Sequence, residues 1–485
     1  MKILKASKIF QHGKFIENHV ILIYRDVIED VIPCSELGYL TQISEVVDFG
    51  ECSIIPGFID THTHMIGYGL DQHMNLSNFE SFEEVKEYIS ETIKKHKAEV
   101  YIFTNFDESK WKRKTIPSKD DLDKISKKPI FLRRICGHIG VGNSSFIDLL
   151  GKTNQINPGK CDLMNGIFWE DIPLNIHSLF PPSREVLEDA FLEAQDTFIK
   201  NGITTIHEIG STNNFRFFQH MMRHKKLKIR VRYYISNGVP EYFDKIGLES
   251  GFGNSFLKLQ GLKFFADGSV GGESALFSFP YGIKKGQGLW LLPENALTIY
   301  KRASETNLQV ATHSIGNLAI KRVLDIIEST KDYDLFRIEH FEFPDAEDVE
   351  RASKMEVKIS IQPNFALNWG TKGGMYQSKL GDFYINNNPL RILKDKGIKF
   401  AFGSDAMPPS PLYGIQAATE HPIPEYSLDL SEAIVRYTEW GSAFTNECNF
   451  LGKIEPGLAA DFTVLEPGLK SVKATIIGGE IFEYG

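Results

Sequence analysis

Two histidines, two residues apart, follow an apolar run near the start of the chain. The segment PGFIDTHTHM places His62 and His64 directly after the run SIIPGFI. In a strand, residues i and i+2 share a face, so both imidazoles are expected to point the same way. Two imidazoles fixed by the backbone suit a divalent metal ion. Such a pair also arises by chance, and the alternative is two ordinary polar residues at a strand end.

Three later apolar runs also end in residue types that bind metals. LQVATH ends in His313, FRIEH ends in His340 and IKFAFGSD ends in Asp405. The carboxyl ends of parallel strands meet at one end of a barrel. Histidines and one aspartate brought together there predict a site of the kind that holds Zn, Fe or Mn.

A lysine lies within the run GLKFFADG, which is otherwise mostly apolar. Lys263 is unusual there because lysine is rarely buried without a partner. One interpretation places it outside the barrel, with its ammonium reaching water. The other is a neutral amine that has taken up carbon dioxide and bridges two metal ions as a carbamate. The residue pattern leaves both interpretations open.

The elements that must position these side chains are short apolar runs alternating with amphipathic helical stretches. SREVLEDAFLEAQDTFIKNG is one such helical stretch. The runs are SIIPGFI, ITTIHEI, KIRVRYYI, GLKFFADG, LQVATH, FRIEH, VKISIQP and IKFAFGSD. Eight βα units predict an α/β fold, a (β/α)8 TIM-type barrel, although a doubly wound open sheet would alternate in the same way.

Both ends of the chain consist of short strands and turns. We therefore predict one β-sandwich domain from residues 1–52 and 455–485, and a barrel domain from residues 53–454. The connection between the first and second runs is much longer than a barrel loop. It predicts an inserted subdomain at about residues 66–182.

The composition excludes several classes of protein. The chain has 485 residues, 42% hydrophobic and 24% charged, which is typical of soluble globular proteins. A net charge of -9 disfavours nucleic-acid binding, and no apolar run is long enough to cross a membrane. Five scattered cysteines predict reduced thiols and a cytoplasmic location.

The order of the motifs resembles that of the amidohydrolase superfamily, and most closely its YtcJ-like branch, which includes N-substituted formamide deformylases. The motifs are PGFIDTHTHM, GLKFFADGS, ATHSIGN, RIEHFE, GSDAMPPSPLYGI and GKIEPGLAADFTVLE. The resemblance implies a (β/α)8 barrel, a β-sandwich from both termini, one or two divalent ions (zinc above all) and a homo-oligomer. The metal ligands that it implies are His62, His64, Lys263 (N-carboxylated), His313, His340 and Asp405.

The resemblance further implies a metal-dependent hydrolase that cleaves an amide-type carbon–nitrogen bond of a small-molecule substrate. Asp405 would be the catalytic residue that moves the proton. Candidates for substrate binding are His138, Trp111, His207 and Gln362. For His138, a structural hydrogen-bonding role in a glycine-containing turn is the alternative. Seven aromatic residues of the insert predict an apolar lining that favours N-acyl or N-formyl amines. They are Phe103, Phe106, Trp111, Phe131, Phe146, Phe168 and Trp169.

Two other functions stay open at this point. A deaminase of the same superfamily usually has a glutamate beside the fifth-strand histidine, whereas Ser314, Ile315 and Gly316 follow His313. A non-catalytic regulatory protein on the same scaffold is the second alternative. It is favoured by departures at recognition positions, such as Cys136 before Gly137 and His138, where the branch usually has aspartate.

Overall fold

The computed structural model describes residues 1–95, 97–112, 114–135, 137, 139–153, 156–169, 171–283 and 285–484. By their contacts these residues form two compact units. One unit consists of residues 1–64 and 196–485, and the other of residues 65–195. None of the helices in the described part of the chain combines the length and the apolar character that a membrane crossing requires.

The first unit contains a nearly closed barrel of eight parallel strands, counted within the described residues. Barrel strands 1 to 8 are Phe58–Thr63, Ile203–Gly210, Arg230–Ser236, Leu257–Phe265, Gln309–Ser314, Phe336–His340, Lys358–Ile361 and Phe400–Phe402. Each strand pairs in parallel with the next along the chain. The TIM-type barrel predicted from the sequence is therefore confirmed, and all eight predicted runs contribute a strand.

The first predicted run differs in detail from the prediction because it divides into two strands. Ser53–Pro56 belongs to a terminal sheet, and only the residues after Gly57 enter the barrel. Barrel strands 8 and 1 meet through the segment that follows strand 8. The Asp405 N–H donates to the His62 carbonyl at 2.8 Å. A side chain at Gly403 would lie 2.5 Å from the His62 nitrogen, so only glycine permits this approach.

Both chain termini build two further sheets in the first unit. The first sheet contains Val27–Pro33, His19–Tyr24, Lys2–Lys5 and Glu45–Asp48, in that spatial order. The second contains Glu480–Glu483, Val472–Ile477, Phe462–Leu465, Ser53–Pro56, Lys8–Gln11 and Lys14–Glu17. Apolar residues of both sheets, among them Ile21, Ile54 and Val464, share one buried cluster. This shared core gives the two sheets the arrangement of a sandwich.

Helices follow most of the barrel strands. The predicted helix before Asn201 and Gly202 is Arg184–Lys200, whose last residues belong to the first unit. The other helices of this unit are Leu40–Ile43, Thr212–Arg223, Pro240–Asp244, Ala296–Glu305, Asn317–Glu328, Ala346–Lys354, Asn364–Trp369, Met375–Leu380, Leu390–Asp395, Pro411–Thr419, Leu430–Arg436 and Glu439–Phe444. A short strand, Phe252–Gly253, pairs with barrel strand 4.

The second unit has a five-stranded sheet within its described residues. In spatial order the strands are Cys161–Asp162, Ile167–Trp169, Ile139–Gly142, Ile130–Arg134 and Tyr101–Phe106. Its helices are Met65–His73, Phe82–Lys95, Lys119–Asp123, Ser144–Gly151 and Asp171–Leu179. Of the seven aromatic residues expected to contribute an apolar lining, six are buried in this unit: Phe103, Phe106, Trp111, Phe131, Phe146 and Phe168. Trp169 is 38% exposed. Packing inside the unit therefore accounts for most of these rings.

A buried ion pair joins barrel strand 3 to the residue that precedes Phe462–Leu465, a strand of the second terminal sheet. Arg230 Nε and Nη2 donate to the two carboxylate oxygens of Asp461 at 2.7 and 2.9 Å. We expect Asp461→Asn to lower the free energy of unfolding by about 3–5 kcal/mol, because it leaves a buried guanidinium without its counter-charge. Glu480→Gln, at the exposed pair with Lys228, should cost about 0–1 kcal/mol. Chemical denaturation of both variants measures the difference, and equal losses would contradict this prediction.

Candidate metal centre

Ligand-type side chains converge at the carboxyl ends of the barrel strands. One nitrogen each of His62 and His340 and one oxygen of Asp405 all lie within 4.8 Å of one another. His62 Nε2 is 3.6 Å and His64 Nε2 is 3.3 Å from Asp405 Oδ1. Residues from barrel strands 1 and 6 and from the segment after strand 8 thus share one small volume. The structure therefore brings together residues that are up to 343 positions apart in the sequence, from His62 to Asp405.

The remaining predicted ligands extend this cluster. The His313 ring centre is 4.4 Å from that of His340, which in turn is 4.8 Å from that of His62. Lys263 is fully buried, and its Nζ lies 5.2 Å from the centre of the Phe265 ring. Lys263 and Phe265 share the strand face on which Phe265 is paired with His313. The lysine is therefore inside the barrel, and the interpretation that extends its ammonium to water is wrong.

The donor set fits a divalent transition metal. Neither Lys263 Nζ nor His340 Nδ1 has a hydrogen-bond partner among the described residues, although both atoms are buried. Burial lowers the pKa of His313 to about 3, and it lowers the pKa of His62 and of His340 well below the usual range. Burial likewise lowers the pKa of Lys263 to about 8. Neutral imidazoles are the form that binds metals, and buried polar atoms without partners call for a ligand.

Two of the predicted ligands have an unusual backbone conformation. His340 and Asp405 have φ angles of 72° and 52°, and the residues after them, Phe341 and Ala406, have φ angles of 49° and 56°. Left-handed backbone is uncommon outside glycine, and it is found most often where function requires it. By strand alternation His340 would face away from Glu339 and His313. The turn at His340 explains how its ring nevertheless lies beside that of His313.

Two buried aspartates, which the sequence analysis did not single out, hold the strand ends in place. Asp60 Oδ1 accepts from the backbone N–H groups of His62 and Ser404 at 3.2 and 2.9 Å. Burial raises the pKa of Asp60 to about 7. Its contacts connect Ser404, the residue before Asp405, to barrel strand 1, which carries His62 and is followed directly by His64. The sequence contained a signal for Asp60, because Asp60, His62 and His64 follow one another at two-residue intervals.

Asp267 has the corresponding role between barrel strands 4 and 5. Its carboxylate accepts from the backbone N–H groups of Leu276, Ile315 and Gly316 at 2.8, 3.0 and 2.9 Å. These contacts fix the loop after Lys263 to the residues that follow His313. The relative positions of the lysine and the fifth-strand histidine depend on them.

The residues predicted to bind substrate lie in different places. Gln362 is buried just after barrel strand 7, and neither side-chain atom has a hydrogen-bond partner within the described ranges. His207 is buried, and its Nδ1 accepts from Arg337 Nη1 at 2.9 Å. Trp111 is buried in the second unit, where its Nε1 donates to the Phe79 carbonyl. His138 lies outside the described residues. A part in substrate binding stays a prediction for all four.

Comparisons with known proteins agree with this arrangement. The Amidohydrolase family profile matches residues 45–481, a range that contains every predicted metal ligand. YtcJ of Bacillus subtilis (strain 168), which is named as an amidohydrolase, is 28% identical over 491 aligned residues that cover 91% of each chain. The N-substituted formamide deformylase of Arthrobacter pascens is 21% identical over 487 residues, covering 88% of this chain and 86% of that protein.

A solved structure gives the same result for the fold. The crystal structure of an uncharacterized metal-dependent hydrolase from Pyrococcus furiosus matches with a TM-score of 0.85 at 25% identity. The match covers 97% of this chain and 100% of that chain. The family expected from the order of the motifs is thereby confirmed. The chain belongs to the amidohydrolase family and has the fold of its metal-dependent hydrolases.

Proposed function

We propose that this protein hydrolyses an amide-type carbon–nitrogen bond of a small molecule with one or two divalent ions, zinc being the expected metal. The observation that carries the proposal is the convergence of His62, His340 and Asp405 within 4.8 Å of one another. His64, Lys263 and His313 complete the set of residues that would hold the metal. Imidazole and carboxylate ligands suit zinc.

A divalent ion bound by these residues would supply Lewis-acid chemistry, polarising a carbonyl and lowering the pKa of water to about 7. Asp405 would handle the proton beside the metal, and this role is supported by its position, with Oδ1 at 3.3 Å from His64 Nε2 and 3.6 Å from His62 Nε2. It would accept a proton from water and pass it to the leaving nitrogen. An amine leaves poorly unless protonated, so this second transfer matters for amide cleavage.

A carbamate on Lys263 is part of the proposal. The residue is fully buried among imidazoles, and Nζ has no partner in the described part of the chain. A free ammonium beside two cations would be repelled, whereas a carbamate supplies two oxygens and a negative charge. The fully buried position supports a carbamate better than it supports a charged lysine.

The substrate class is supported by three observations of unequal weight. Likeness to an N-substituted formamide deformylase favours N-formyl or N-acyl amines. The aromatic lining that the sequence suggested gives less support, because six of those rings pack inside the second unit. The buried carboxamide of Gln362 can both donate and accept hydrogen bonds, as an amide substrate requires. Cyclic ureides, which have the same groups, are the runner-up class.

We expect the purified protein, after reconstitution, to hold about one to two divalent ions per chain and to hydrolyse N-formyl and N-acyl amines. Elemental analysis measures the metal. A panel of N-benzylformamide types, N-acyl amino acids, hydantoins, lactones and phosphoesters at one fixed concentration measures the reaction. His62→Ala should lose metal and activity, whereas His224→Ala, at an exposed helix end, should keep both.

Several outcomes would contradict parts of this proposal. A protein that binds no divalent metal on titration would remove its basis. Activity on lactones or phosphoesters alone would keep the metal centre and reject the amide bond. Ammonia release from cytosine-like or adenine-like rings would favour a deaminase. The cytoplasmic location and the homo-oligomer stay predictions.

A further inference from the structure

A buried glutamate lies in the same row of side chains as His313, the predicted metal ligand of barrel strand 5. Phe265, His313 and Glu339 are in register on three neighbouring strands. One step earlier, Lys263, Ala311 and Arg337 form another such row. Residues in register on adjacent strands lie on the same face of the sheet. Glu339 and Arg337 therefore share the sheet face of the predicted ligands Lys263 and His313.

Glu339 contacts a predicted metal ligand directly. His62 Nδ1 donates to Glu339 Oε2 at 2.5 Å, and both side chains are almost completely buried. A carboxylate can only accept, so the proton of His62 must be on Nδ1. Nε2 is then the nitrogen with a free lone pair. This is the nitrogen that lies 3.6 Å from Asp405 Oδ1.

Glu339 is itself fixed by a buried arginine. Arg337 Nε donates to Glu339 Oε1, and Arg337 Nη2 donates to the Thr61 carbonyl at 2.6 Å. Thr61 precedes His62, so the same guanidinium holds both the carboxylate and the strand that carries the histidine. The other nitrogen, Nη1, contacts His207 Nδ1 at 2.9 Å and the Tyr234 hydroxyl at 3.3 Å.

The hydrogen bonds of Arg337 continue through buried groups in the barrel interior. The Tyr234 hydroxyl donates to Gln309 Oε1 at 2.8 Å, and Gln309 Nε2 donates to the Phe444 carbonyl at 3.1 Å. Because Arg337 always donates, His207 Nδ1 must accept and its proton is on Nε2. His207 is thus assigned a defined tautomer by a residue that also holds Glu339.

We propose that Glu339 is a positioning residue for the metal centre, held in place by Arg337, which in turn contacts His207. It fixes the tautomer and the ring orientation of His62 and makes its Nε2 a stronger metal ligand. Carboxylates that accept from a ligating histidine act in this way in metal sites generally. The inference rests on the proposed function, because it requires that His62 bind metal.

The test compares Glu339→Gln with Glu447→Gln. Glu447 is paired with another buried arginine of the barrel, Arg232, at 2.5 and 3.0 Å, and contacts none of the predicted ligands. Both variants leave a buried guanidinium without its carboxylate. The dissociation constant for Zn²⁺, measured by competition with a chromophoric chelator, should rise about 10- to 100-fold in Glu339→Gln. It should stay within about twofold of wild type in Glu447→Gln, because the matched carboxylate has no metal role.

A pair of double variants keeps the test decisive if the single variants fold poorly. Arg337→Met with Glu339→Leu removes both charges, a change that buried ion pairs often tolerate. Arg232→Met with Glu447→Leu is the matched control. Only the first should weaken Zn²⁺ binding, and only the first should change the visible absorption spectrum of the Co²⁺-substituted protein. That spectrum reports the ligand field and does not respond to a general loss of stability.

The outcomes separate this inference from the proposed function. Wild-type protein that binds Zn²⁺ while the Glu339 variants bind it as tightly as their controls would overturn the positioning role alone. Wild-type protein that binds no divalent metal would overturn both. Weaker Zn²⁺ binding confined to the Glu339 variants would support the positioning role of Glu339.

Discussion

Asp405→Asn is expected to lower turnover at least about 100-fold while the protein keeps its metal. Asparagine retains an oxygen of the same reach as a metal ligand, but it cannot accept the proton of water or return one to the leaving nitrogen. The backbone should tolerate the change, because Asp405 has a φ of 52° and asparagine is among the residues that adopt left-handed backbone. The loss would therefore report proton transfer.

Metal content and turnover must be measured on the same preparations. His62→Ala is the comparison, because it removes an imidazole that lies 3.6 Å from Asp405 Oδ1. It should lose metal and activity together. If Asp405→Asn loses as much metal as His62→Ala, then Asp405 acts only as a ligand and the proton must be moved by another group.

Lys263→Ala is expected to lower metal occupancy and to reduce activity at least about 100-fold. Loss of a residue that only hydrogen-bonds to a metal ligand typically costs about 10- to 100-fold, so a larger loss indicates a direct ligand. Lys263 is fully buried, and burial lowers the pKa of its amine to about 8. A neutral amine is the form that reacts with carbon dioxide. If a carbamate bridges two ions, alanine removes two oxygen ligands at once. Millimolar bicarbonate or a short carboxylate should then partly restore activity.

The control for this variant is another buried lysine of the barrel. Lys358 on strand 7 donates from Nζ to the Asp334 carbonyl at 2.9 Å, at the opposite end of the strands. Lys358→Ala should keep its metal. Wild-type protein reconstituted with ¹³C-bicarbonate should show a carbamate resonance that Lys263→Ala lacks. Full metal content and full turnover in Lys263→Ala would make Lys263 a structural residue.

The sequence by itself determined the eight alternating strands and helices and the residue types at the ends of the strands. Each barrel strand is a short, mostly apolar run, and such a run is visible in a few consecutive residues without knowledge of the rest of the chain. The pair His62 and His64 follows from the two-residue period of a strand. The position of Lys263 inside an apolar run indicated a lysine with a special environment, because burying an amine without a partner is costly.

The tertiary structure decided which of these side chains meet, because contacts between distant residues leave no local pattern. His340 belongs to the opposite face of its strand by alternation, and only the left-handed turn at φ 72° brings its ring beside His313. Glu339 is 277 residues from His62 in the sequence, so its hydrogen bond to Nδ1 could not be read from either segment. Period and residue type fix which way a strand residue points. Barrel closure fixes what it meets, and that depends on all eight strands together.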